Sequence, residues 1–187
     1  MVLPLTYFGN PVLRCKGDPV SEITPELEQF IEDMFDTMEK HRGIGLASQQ
    51  VGRAIQLTVI DIRPVEDRPS TLELDGEEAD PHSIMPLVLL NPEIEPLAAE
   101  VSGPEGCLSF PEIYGDVSRP EKIRVKALNE RNEPVEFVCG GLLARCVQHE
   151  TDHLHGILFT DRMDRDTKAE LRDELDVLQK ATKAILT

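Results

Sequence analysis

The sequence predicts an α+β fold, with mixed or antiparallel strands between amphipathic helices near its two ends and one further helix late in the chain. Three observations predict it. Apolar residues recur at helical spacing over Leu27–Met38 and again over Leu171–Leu178. Between them lie short runs of alternating or continuous apolar residues separated by Gly, Pro and Asn. A third apolar-periodic stretch, Gly141 to His153, follows the last of these runs. At 187 residues, with 40% hydrophobic and 29% charged positions, the chain suits one domain, 1–187, with a single sizeable core. A formal net charge of −16 speaks against a nucleic-acid binder, which needs a basic face.

Leu3 to Arg14 is an apolar, proline-punctuated arm expected to lie on the body of the domain. The first helix has Thr24 as N-cap, Pro25 at its first position and Glu26 and Glu28 in the first turn. Leu27, Phe30, Ile31, Met34 and Met38 form its buried stripe, and Gly43 stops it. Gly43 to Gly52 is a stretch of small residues that lets backbone pass close to something, and Ile55 to Asp61 is a strand. Arg63 to Pro86, with four prolines and many acidic residues, is a long surface excursion that holds at most a short edge strand over Thr71–Leu74. Leu87–Asn91 is a short buried strand. Ile94–Val101 is a second, bulged near Pro96. Pro104–Pro111 is a loop centred on Cys107, and Ile123–Leu128 with Pro134–Val138 form a hairpin about Asn129–Asn132. The helix Gly141–His153 ends at Gly156, and an amphipathic helix from about Asp166 to Ala184 closes the chain.

The chemistry centres on Gln148-His149-Glu150-Thr151-Asp152-His153. Histidines four apart project from one helix face and can hold one divalent metal, with Glu150 in reach of a water on it. Structural explanations compete, since two histidines on a helix are often polar surface. The rest of this helix is apolar, however, and buried ionisable groups usually have a partner. The third ligand stays open on spacing alone. Phe159 occupies the place of a downstream histidine, Glu170 or Glu174 would serve a carboxylate-ligated endopeptidase, and Cys107 offers a thiolate upstream.

Three segments in order, GIGLASQQ (Gly43–Gln50), EGCLS (Glu105–Ser109) and QHETDHLHG (Gln148–Gly156), resemble the motifs of the peptide deformylase family. Ser48 and Thr151 depart from the usual small and apolar residues beside the functional positions, not at them. The resemblance implies strands arranged around a central metal-binding helix, and removal of the N-formyl group from the initiator methionine of new polypeptides. It implies Cys107, His149 and His153 as ligands of one divalent ion, with a fourth position left for water. Fe(II) would be the ion in the cell, and Zn(II), Ni(II) or Co(II) in isolated samples. Glu150 is then the base, and Gln50 and the Leu108 N–H face the oxyanion. Ile44, Gly45, Glu105, Gly106, Leu142 and Cys146 border the substrate, with Gly45 permitting close approach of its backbone and Arg145 closing the rim with its charge in water.

The implied partners are N-formylmethionyl nascent peptides, with the ribosome near its exit tunnel. No membrane or nucleic-acid partner is expected. The location is cytoplasmic in a bacterium, since Met1–Asn10 shows no secretory pattern, or organellar after loss of a transit peptide. The alternatives are a metalloendopeptidase and a non-catalytic metal- or peptide-binding relative. Cys15 and Cys139 are expected to be structural, and His41, His82 and His155 to be surface.

Overall fold

The computed structural model describes residues 1–187. Helix α1 (Pro25–Lys40) starts where expected: Thr24 Oγ1 accepts the Leu27 N–H at 3.1 Å, and Pro25 fills the first position. The strands β1 (Gly45–Ala47), β2 (Leu57–Ile60), β3 (Ser70–Leu74), β4 (Glu77–Ala79), β5 (Leu87–Pro96), β8 (Lys122–Leu128) and β9 (Pro134–Gly140) form one sheet in the order β1-β2-β5-β8-β9-β3-β4. Every pairing in it is antiparallel. The two remaining strands, β6 (Glu100–Cys107) and β7 (Phe110–Pro120), pair only with each other. Helix α2 (Gly141–Leu154) lies on the sheet, and α3 (Arg165–Glu170) and α4 (Arg172–Leu186) follow.

Period-two geometry explains the continuous apolar runs of β2 and β5. Leu57, Val59, Val88 and Leu90 face α1, whereas Ile60, Leu87 and Leu89 face α2, so this part of the sheet is covered on both sides. A third cluster joins Phe110, Ile113 and Val117 of β7 to Leu158, Phe159, Met163 and Leu175.

Several expectations need correction. Leu87–Pro96 is one strand, because left-handed Asn91 (φ +51°) absorbs an irregularity between Leu90 and Glu93 that carries the ladder past Pro92. Residues 94–101 are therefore not a second strand. Pro104–Pro111 is not a loop: its two sides belong to β6 and β7, and only Leu108 and Ser109 turn. Proline is tolerated there because each ribbon strand has one neighbour. The final helix breaks at Leu171. Gly45–Ala47 is a strand, and Cys15 is exposed on the surface.

The excursion is the largest departure. Its strand β3 lies between β9 and β4 rather than at the edge, and Leu72 is fully buried. Residues 69 and 70 also complete the start of α2: Pro69 O accepts the Leu142 N–H at 3.0 Å, and Ser70 Oγ accepts the Leu143 N–H at 2.9 Å. Helix N-termini need such acceptors, and Gly140 and Gly141 have no side chain to offer. Leu72→Ala should therefore cost about 2–5 kcal/mol, as for a core leucine. Equilibrium urea unfolding measures it, and a change under about 0.5 kcal/mol would return this segment to the surface.

Candidate metal centre

Helix α2 is buried along its whole length from Leu142 to Leu154, although Arg145, Gln148, His149, Glu150, Asp152 and His153 all lie on it. Its i, i+4 pair places the rings of His149 and His153 with centroids 5.1 Å apart. Cys107, at the end of β6, comes to the same point, with Sγ 3.3 Å from His153 Nε2. One ligand atom from each of these three residues lies within 4.8 Å of the others. A thiol and two imidazoles so gathered fit a single divalent ion of borderline softness. Glu170 and Glu174 are exposed on α3 and α4, outside this group, and Phe159 is packed in the core. The carboxylate-ligated alternative therefore has no ligand here.

The orientation of His149 comes from Glu105. Its carboxylate accepts the ring Nδ1–H at 2.8 Å, which leaves Nε2 for the centre. Glu105 is itself held by Arg119 through two bonds of 2.6 and 2.9 Å and by Arg145 at 2.9 Å. Burial alone would raise the Glu105 pKa, but the hydrogen bonds from His149 and Arg119 and their charges bring it down to about 2. Arg119 also donates to Asp152 at 2.9 Å, and Arg162 adds two bonds to Asp152 at 3.1 and 2.9 Å. Sequence reasoning missed Arg119, Asp152 and Arg162. A signal existed in β7, where the inward positions 113, 115 and 117 are apolar or glycine and 119 continues their face with a charge. Arg145 is corrected by the same network. Its charge is buried, donating also to Val101 O and Val117 O at 3.0 and 2.7 Å.

Glu150 is 4% exposed, and its Oε2 has no partner among the protein groups. Burial pushes its pKa up to about 7. The Gln50 side chain is locked: Oε1 accepts the Ala47 N–H at 2.9 Å, so its NH₂ points to Cys107 Sγ (3.4 Å) and Ser109 Oγ (3.2 Å). A cleft of about 740 Å³ opens over these groups, bordered by Ile44, Gly45, Gly106, Leu108, Leu142 and Cys146. Two of the expected substrate contacts, which also line this cleft, have structural tasks as well. The Glu105 side chain turns inward to its ion pairs, and a Cβ at position 45 would meet Glu150 Oε1 at 2.7 Å and Cys146 Sγ at 2.9 Å. Glycine at 45 therefore makes room for Glu150. Gly106 packs against Tyr114, whose Cδ1 and Cε1 would lie 2.7 Å from a Cβ added at position 106. Cys139 is buried in the core with its thiol pushed up to about 12, and His41, His82 and His155 are exposed.

No helix is long and apolar enough to cross a membrane. The family model described as polypeptide deformylase matches residues 2–169. A peptide deformylase of Opitutus terrae is 45% identical over 186 residues, covering 98% of this chain and 96% of that one. The crystal structure of a peptide deformylase from Legionella pneumophila superposes with a TM-score of 0.79 at 36% identity, covering 98% of both chains. One from Synechococcus elongatus, solved with actinonin, gives 0.75 at 41% identity, over 97% of this chain and 86% of that one. With its α+β architecture and its gathered Cys107, His149 and His153, this chain belongs to the polypeptide deformylase family.

Proposed function

We infer that this enzyme removes the N-formyl group from the N-terminal methionine of new proteins, and that it does so at the centre built from Cys107, His149 and His153. The observation that carries the residue assignment is the convergence of three ligand atoms beside a buried carboxylate with one unpartnered oxygen. Cys107, His149 and His153 would hold a divalent ion, which when bound would supply Lewis acidity and lower the pKa of a water towards neutrality. Fe(II) is proposed for the cell, with Zn(II), Ni(II) or Co(II) able to replace it, since all accept this donor set.

Glu150 takes the proton of the attacking water and delivers it to the leaving amine as the formyl C–N bond breaks, giving formate and a free N-terminus. The fixed NH₂ of Gln50 and the Leu108 N–H are proposed to stabilise the oxyanion that develops on the formyl oxygen. Ile44, Leu142 and Cys146 are proposed to form the apolar slot for the methionine side chain, with Glu105 and Gly106 beside it in the same cleft. Nascent formylated chains in the bacterial cytoplasm are the proposed substrate pool, and the ribosome is the proposed docking partner.

The first test is an assay of a formyl-Met peptide beside its unformylated and acetylated counterparts, of which only the first should react. Cys107→Ala should lose both tight metal binding and activity. One equivalent of metal retained in elemental analysis would remove Cys107 from the ligand set. Glu150→Ala should keep its metal and lose turnover by about 10²–10⁴-fold. Retained turnover within tenfold would assign the proton transfers elsewhere. In the slot, each methylene is worth about 1–3 kcal/mol. Formyl-Met and formyl-norleucine peptides should thus have similar kcat/KM, formyl-Ala should be more than about tenfold slower, and Leu142→Trp should slow the Met substrate. Equal values for Met and Ala would place the slot elsewhere.

A further inference from the structure

We propose that Arg162 is a positioning residue for His149, acting through Asp152, Arg119 and Glu105. The proposal rests on His149 being a metal ligand, and it extends that centre to a side chain at the protein surface.

The connection is continuous and every contact in it is short. The Arg162 guanidinium donates Nε–H and Nη2–H to the two oxygens of Asp152, at 3.1 and 2.9 Å. Asp152 Oδ2 also accepts from Arg119 Nη1 at 2.9 Å. Arg119 uses its other two guanidinium nitrogens, Nε and Nη2, on the two oxygens of Glu105, and Glu105 Oε1 accepts from His149. Side-chain exposure falls inward along this path, from 46% at Arg162 to 12% at Asp152, 4% at Arg119 and 5% at Glu105.

Arg119 is thus shared between two carboxylates, and that sharing gives Arg162 its leverage. Without Arg162, Asp152 keeps one donor, Arg119 Nη1. A buried carboxylate left with unmet acceptors draws on the donor it retains. Movement of Arg119 towards Asp152 breaks the parallel pair on Glu105, and Glu105 is the group that sets the His149 ring. Arg162 is also held in place for this task. It ends the 3₁₀ turn Phe159–Arg162, whose Phe159 is buried 5.7 Å from the His149 ring. The neighbouring Asp161 is fixed by Arg14 and by the Leu158 N–H. Lysine cannot replace it fully, because an ammonium is a point donor that does not span both oxygens of Asp152.

The test uses the full chain loaded with Co(II), whose visible absorption reports ligand geometry, and follows metal release to excess chelator. Arg162→Met should release Co(II) about tenfold faster with an altered spectrum, and Arg162→Lys should fall between it and the wild type. In an Asp152→Asn background, Arg162→Met should add nothing further. Release within twofold of the wild type, even with a lowered melting temperature, would reduce Arg162 to a structural role and overturn the proposal. So would an acceleration that persists in full when Asp152 is Asn. A wild-type protein without a thiolate–Co(II) absorption band would instead overturn the centre itself, and this proposal with it.

Discussion

A helix crowded with ionisable groups is buried on every side, and the surrounding structure answers to that constraint. Burial of a charge is tolerated only with a partner, and removing one member of a buried pair costs about 3–5 kcal/mol. The ribbon β6–β7 supplies those partners: Glu105 for His149 and Arg145, Arg119 for Glu105 and Asp152. The same ribbon carries Cys107 at its tip. Charge compensation for α2 and completion of the ligand group thus come from one element, which explains why two strands outside the main sheet sit so close to the site.

Much of this was legible in the sequence where local rules act alone. Thr24-Pro25 starts α1, the Asn129–Asn132 hairpin joins β8 to β9, and the two histidines share a helix face. These depend on residues a few positions apart. The ribbon was not legible, because Gly103, Pro104, Gly106 and Pro111 read as loop punctuation, and only the absence of second neighbours makes them acceptable in strands. Leu72 looked like an edge residue inside an acidic stretch, yet β9 buries it. Arg145 looked like a rim residue because its four acceptors come from positions 101, 103, 105 and 117, which no short window contains. At the centre, helical spacing brought out His149 and His153, with the buried Glu150 between them. Cys107 stood out only when three separated motifs were read together.

The chemistry sets different demands on two carboxylates a few residues apart in space. Glu105, held by two arginines and by the His149 ring N–H, is kept ionised, whereas Glu150, facing the cleft without a basic side chain bonded to it, has its pKa raised by burial. One orients a ring and the other keeps an oxygen open to the cleft, and the difference arises from neighbours rather than residue type. Gln50 is treated in the same way. Its carbonyl is consumed by the Ala47 N–H, so only donors remain for the centre.

The acceptors that residues 69 and 70 give to α2 carry a consequence for how this molecule tolerates change. Proline-rich acidic segments at a surface are where tags, insertions and protease cuts are ordinarily accommodated. Here the first turn of the helix that bears both histidines ends on that segment. A cut before Pro69 that lets the strand β3 peel away would expose two helix N–H groups and uncover Leu72. Damage that looks peripheral on a map of the chain would then reach His149 within three turns of helix. The safe place for a fusion or label in this region is the β3–β4 turn at Asp75-Gly76, where both residues already adopt positive φ and a Cβ added at Gly76 meets nothing.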